Sequence, residues 1–134
     1  MASTGSLSKW VLGYTAFLTL LSISTSLMGY LAPQFIFSGL DLPFDAAQPI
    51  TFFYATRNVG IAVLCIAGLV LMDAKLLLGM YMLRFVVELL DLIFTLQFNI
   101  GGFNPIVLTL TWLLVFLLPE LLIARYLYRK SNFR

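Results

Sequence analysis

Four apolar runs, approximately residues 9–31, 51–71, 76–97 and 104–127, occupy most of this chain of 134 residues. Each is long enough to cross roughly 30 Å of hydrocarbon as a helix rising about 1.5 Å per residue, with its backbone hydrogen bonds satisfied internally. Composition agrees: 61% of the residues are hydrophobic and 10% charged, and the mean hydropathy of +1.00 lies far above that of an ordinary soluble domain. The expected architecture is all-α: one domain over residues 1–134, an integral membrane bundle of four transmembrane helices in antiparallel up-down order. The serine-rich stretch Ser22 to Ser26 also admits a cleaved secretory signal, but the apolar run continues through LMGYLA to full membrane length, which favours a retained span.

Several functional classes drop out at once. A formal net charge of +2, with no basic cluster on a soluble segment, argues against a nucleic-acid partner. The chain has no histidine and a single cysteine, Cys65, so the usual zinc, haem and iron–sulfur ligand sets cannot be assembled, and triads with a histidine base are excluded. No metal site and no cofactor are expected. Cys65 sits in an apolar run and reads as a small packed side chain.

Basic residues set the orientation, because Lys and Arg are retained on the cytoplasmic side of a bilayer. Lys9, Lys75, Arg125, Arg129, Lys130 and Arg134 all fall on one face of the bundle, which places both termini in the cytoplasm. The outer loop at residues 32–50 carries Asp41 and Asp45 without a basic residue, and NIGGFNP carries no charge. Trp10, Tyr14, Tyr126 and Tyr128 are expected at the inner boundary, Tyr30 and Tyr54 at the outer one. Pro33, Pro43 and Pro49 should keep the outer loop from forming a long helix, leaving it to cover helix ends or to act as a lid over an outward pocket. MDAK and NIGGFNP are short enough to make consecutive helices antiparallel neighbours.

Against this apolar background the stretch LRFVVELLDL stands out, with Arg84, Glu88 and Asp91 inside the third span. At about 100° per residue, Tyr81, Arg84, Glu88, Asp91 and Thr95 share one narrow arc, while Phe85, Val86, Leu89, Leu90 and Ile93 fill the rest. A charge facing lipid costs at least about 2.5 to 3.5 kcal/mol, so the polar arc must face the bundle interior and find partners there. Depth names them. Arg57 and Asp91 both lie roughly 9 Å below the outer boundary, and Arg84 and Glu120 roughly 10 to 12 Å from the inner one. Arginine suits such positions because its planar fork holds a carboxylate bidentately. Two cations, Arg57 and Arg84, then face three acids, Glu88, Asp91 and Glu120, so one proton should be shared among the acids, residing on Glu88.

The other spans offer matching faces. Thr15, Thr19, Ser22, Ser26 and Gly29 form a stripe of small and hydroxyl residues on the first, which permits close helix approach. Tyr54, Arg57, Asn58, Cys65 and Gly68 share a side of the second. Pro119 in the fourth should free the Val115 carbonyl and bend the helix beside Glu120.

Three functions compete on these residues. The ionic network can be a structural knot that fixes helix register, in which case the chain is a small accessory or interaction subunit of a larger membrane complex or a homo-oligomer. Alternatively the interior is a pocket for a lipophilic molecule such as a quinone or isoprenoid, with Tyr54, Arg57, Asn58, Tyr81, Arg84, Glu88 and Glu120 as candidate contacts. If chemistry occurs there, Glu88 is the candidate general acid and Asp91, ionised beside Arg57, would stabilise a developing cation. That describes an isomerase, a cyclase or an epoxide-opening enzyme. Ion or proton movement is disfavoured, because the acids do not form a relay across the full thickness.

Four short spans with little outside them, a proline-containing first outer loop, the segment FYATRNVGIAVL opening the second span and an acid-bearing third span together resemble the DoxX-like group of small bacterial membrane proteins. The resemblance covers nearly the whole chain. It implies a four-helix fold in the bacterial cytoplasmic (inner) membrane, and puts Arg57, Asn58 and Asp91 at the group's Arg-Asn and acid positions. Some members of that wider group are small subunits tied to quinone-linked sulfur oxidation. Arg84 and Glu88 go beyond the group's pattern.

Overall fold

A computed structural model describes residues 7–35 and 44–132. Helix α1 runs over Lys9–Leu31, α2 over Phe44–Leu71 and α3 over Ala74–Phe98. Helices α4 (Pro105–Trp112) and α5 (Leu118–Asn132) are joined by a π-helical turn, Leu113–Leu117, and form one continuous rod. Single 3₁₀ turns lie at Pro33–Phe35 and Ile100–Gly102. The described residues contain helix and no strand. Three stretches, Lys9–Leu31, Pro49–Leu71 and Pro105–Asn132, are long and apolar enough to cross a membrane. Helix α3 matches them with 25 residues, but carries Arg84, Glu88 and Asp91 along its length.

The turns explain themselves locally. Met72 takes the left-handed conformation, φ 51°, between α2 and α3. Asp73 then caps α3, its carboxylate accepting from the Lys75 and Leu76 amides at 2.8 and 3.2 Å. At the far end Asn99, φ 49°, closes α3 by donating its amide to the Thr95 carbonyl, and Gly101 and Gly102 continue with positive φ. Asn104 caps α4 ahead of Pro105, whose missing N–H falls among the donors that lack a helical acceptor anyway.

Two sequence expectations need correction. The outer connection is shorter than residues 32–50: α2 begins at Phe44, with Pro49 inside it. A proline one and a half turns from a helix start removes a single amide donor, so the helix tolerates it more readily than at mid-length. Pro43, Asp41, Arg134 and the central part of the suggested lid lie outside the described residues. The second correction concerns Tyr14, which turns inward instead of serving as a boundary anchor. Its hydroxyl donates to the Val115 carbonyl at 2.7 Å, and its ring lies 6.4 Å from that of Tyr81. That carbonyl is the one Pro119 cannot bond, and the π-helical turn accommodates the proline.

Small residues on α1 let α2 approach closely. The Ser26 hydroxyl reaches the Ala55 carbonyl at 3.1 Å, and a Cβ added to Gly29 would stand 2.7 Å from that of Ala55. The Ser8 amide donates to the Tyr126 hydroxyl at 3.2 Å, and Trp10 packs on Tyr126, so the start of α1 meets the last turns of α5. Val11, Leu18, Cys65, Leu77, Tyr81, Ile123 and Leu127 form an enclosed core at this end, which carries the basic residues. Cys65 is packed there, its thiol 3.6 Å from the Met80 sulfur.

Candidate functional site

The polar arc of α3 serves two separate assemblies. Nearer the basic end, Arg84 is almost wholly enclosed and grips two carboxylates. Its Nε donates to Glu120 Oε1 of α5 at 2.8 Å, and its Nη2 donates to Glu88, one turn along the same helix. Nη1 extends toward the Ser22 hydroxyl of α1 at 3.5 Å. Three helices are thereby tied to one guanidinium. Beside it, Tyr81 and Thr15 share a hydrogen bond of 2.7 Å. Arg84 and Glu120 meet as their depths required. Glu88, expected to be left over, is instead held by Arg84, because residues four apart on a helix face each other. The count of two cations against three acids stands, and Glu120 Oε2 is buried with no hydrogen-bond partner among the described residues.

The second assembly lies toward the other end of the bundle. Arg57 of α2 and Asp91 of α3 form a bidentate pair, Nη1 to Oδ1 at 2.8 Å and Nη2 to Oδ2 at 2.7 Å. The guanidinium also lies over the Tyr54 ring, 4.7 Å from its centre. Unlike the enclosed Arg84, these side chains retain 35% and 23% of their exposure, and both line a cavity of about 530 Å³. Aromatic rings make up nearly half of the lining, with Phe53 and Tyr54 from α2, Phe94 from α3, Phe103 from the α3–α4 connection and Trp112 from α4. Phe35 belongs to the 3₁₀ turn after α1, and Thr95 adds a hydroxyl next to Asp91.

Trp112 joins the two assemblies. One side of it lines the cavity, while its indole N–H donates to the Glu88 carbonyl at 3.1 Å. A half-buried indole N–H gains from such an acceptor, and this one holds the ring across the gap between α3 and α4.

The residues read from the sequence as one candidate pocket are thus divided. Tyr54, Arg57 and Asp91 line the cavity; Arg84, Glu88 and Glu120 make the enclosed triad, with Tyr81 packed alongside. Asn58 is buried one residue beyond Arg57, outside the cavity lining, with Nδ2 lacking a hydrogen-bond partner among the described residues. Trp112, Phe94 and Phe103 escaped the sequence reading. A tryptophan in the middle of an apolar run was the available signal, since its N–H must find an acceptor. No group of three His, Cys, Asp or Glu among the described residues is placed to hold a metal ion. Chemically, the cavity offers a hydrophobic, half-open cleft bordered by aromatic rings, with one mutually neutralised donor–acceptor pair on its wall. Comparison with protein-family models, with characterised proteins and with solved structures finds no match to this chain.

Proposed function

We propose that this chain is an integral membrane protein of four transmembrane helices that binds a lipophilic molecule in the cavity beside Arg57 and Asp91. The observation that carries the reading is a half-open apolar cleft of about 530 Å³, rich in aromatic rings, with a partly exposed ion pair in its wall. Ligand sites commonly combine an apolar enclosure of some 300–1,000 Å³ with a few convergent polar groups. Helix α3 crosses as the fourth span in this proposal, its charges turned to Arg57, Glu120 and Ser22 and away from lipid. Lys9, Lys75, Arg125, Arg129 and Lys130 gather at one end, which supports cytoplasmic termini and, with the DoxX-like layout, the bacterial inner membrane.

Binding is preferred to catalysis because Glu88, the candidate general acid for an isomerase, cyclase or epoxide-opening reaction, is engaged by Arg84 and does not line the cavity. An accessory subunit or homo-oligomer is the second reading. It is favoured by Gly13, Gly60 and Gly79, which have nothing within 4 Å of where a Cβ would stand and so leave room for a neighbouring helix.

The test is solvent extraction of the full chain purified in native lipid discs. Binding predicts a stoichiometric hydrophobic compound in the extract, lost when Thr95→Trp fills the cavity. An extract of bulk phospholipid alone, with a membrane polypeptide in fixed ratio to this chain, would favour the accessory reading.

A further inference from the structure

We infer that the cavity selects an uncharged ring-bearing lipophile with a hydroxyl or carbonyl head group, such as a phenol or quinone, and discriminates against lipophilic anions and cations. This rests on the binding reading above and adds the ligand's chemical class. Three observations carry it. First, the charged groups in the wall cancel: Arg57 and Asp91 are joined by two hydrogen bonds of 2.8 and 2.7 Å, so neither offers a counter-charge to a newcomer. An anionic head would surrender its hydration and meet a guanidinium already neutralised, and a cationic head would meet a carboxylate in the same condition.

Second, the pair can still make hydrogen bonds. A guanidinium carries five N–H donors and a carboxylate about four lone-pair positions, of which the bidentate contact uses only some. Both side chains keep part of their surface open to the cleft. A hydroxyl can accept from Arg57 and donate to Asp91; a carbonyl can accept from Arg57. Third, the remaining surface suits a flat ring. Phe53 and Tyr54 of α2 converge with Phe94, Phe103 and Trp112 on one half-open cleft, where edge-to-face and offset-stacked contacts add to simple apolar burial.

The chain contains two tryptophans. Trp10 packs on Tyr126 near the basic end, so Trp10→Phe leaves Trp112 as a reporter inside the cavity wall. In this background, in lipid nanodiscs, four bromobenzenes with the same alkyl tail would be titrated. They carry a hydroxyl, a permanently anionic sulfonate, a permanently cationic trimethylammonium group, or no head group. Bromine quenches indole fluorescence on contact, and a bound probe saturates whereas a dissolved one does not.

The expected result is saturable quenching by the hydroxyl probe with affinity about tenfold or more above the headless probe, as one hydrogen bond to a charged group allows, and weaker binding of both ions. In Arg57→Leu/Asp91→Leu the hydroxyl and headless probes should bind alike. A sulfonate or trimethylammonium probe binding as tightly as the hydroxyl probe would overturn the inference and leave the binding site standing. So would equal affinity of the hydroxyl and headless probes in the wild-type pair, or a hydroxyl preference that survives the double replacement. Absence of saturable quenching by all four would remove the binding reading itself. The wild-type ranking requires no variant at Arg57 or Asp91, so it holds even where the double replacement is poorly folded.

Discussion

Replacing Arg57 by leucine should destabilise the protein mainly through the charge it leaves behind. Asp91 would lose both hydrogen bonds, at 2.8 and 2.7 Å, while still flanked by the apolar walls of the cavity. Stranding one member of a fully buried pair costs about 3–5 kcal/mol. Here Asp91 keeps 23% of its side-chain exposure, so its desolvation is incomplete and the penalty falls below that range, to about 2–3 kcal/mol. Asp91→Leu should cost a similar amount, because Arg57 is then the orphan. Arg57→Leu/Asp91→Leu leaves no charge unpaired and gains apolar contact, so its loss should be below about 1.5 kcal/mol. The difference from additivity is a coupling energy of roughly 3 kcal/mol, well outside the roughly 0.3–0.5 kcal/mol scatter of independent sites. Reversible unfolding of the four proteins in lipid bicelles measures it. If the double replacement lost the sum of the singles, the pair would not be the interaction that matters at either residue, and the depth argument joining α2 to α3 would fail.

Within the triad, Arg84→Leu strands two carboxylates and should cost about 3–5 kcal/mol. Glu88→Gln keeps a polar group beside Arg84 and leaves Glu120 as its counter-ion, so its loss should be no more than about 1 kcal/mol; thermal unfolding of both in the same lipid checks the ranking, and equal losses would contradict it. Gly29→Val drives a side chain into Ala55 and the Thr51 carbonyl, and should cost about 1–3 kcal/mol as overpacking does. Gly13→Ala, with nothing within 4 Å, should be neutral or stabilise by about 0.5–1 kcal/mol, so a comparable loss at both glycines would refute the close approach of α1 and α2.

How much of this was legible beforehand depends on whether one helix sufficed to read it. Arg57 with Asp91 and Arg84 with Glu120 followed from depth alone, because rise per residue fixes height and a charge in hydrocarbon must find a partner at its own level. The freed Val115 carbonyl followed from Pro119 by the same local geometry, though not its acceptance of the Tyr14 hydroxyl, which depends on how α1 is turned against the fourth rod. What depth alone did not give is the second contact of Arg84: matched by height to Glu120, its fork also reaches Glu88 four residues along the same helix. The start of α2 was missed because Pro49 was weighed as a breaker without regard to its place near a helix end. The cavity was hidden for a different reason. Phe53, Phe94, Phe103 and Trp112 sit on separate segments, and each alone is indistinguishable from a lipid-facing aromatic.

The two ionic assemblies divide along a line that exposure draws. Arg84 and Glu120 are sealed from any approach, at 2% and 0% exposure, and their hydrogen bonds are directed to α3, α5 and Ser22. Such a cluster can hold three helices in register, which nonspecific apolar contact in a membrane cannot do. Arg57 and Asp91 are instead open on the cavity side and, among the described residues, join α2 to α3. A purely structural pair gains nothing from that opening, since exposure to water weakens the attraction between its charges. Trp112 stands where the two meet, with its indole N–H on the Glu88 backbone and one side in the cavity wall. The ring against which a ligand would pack is therefore hung on the backbone of α3, so a change that shifts that helix at Glu88 should reach the cavity through Trp112 without touching any of the other aromatic side chains that line it.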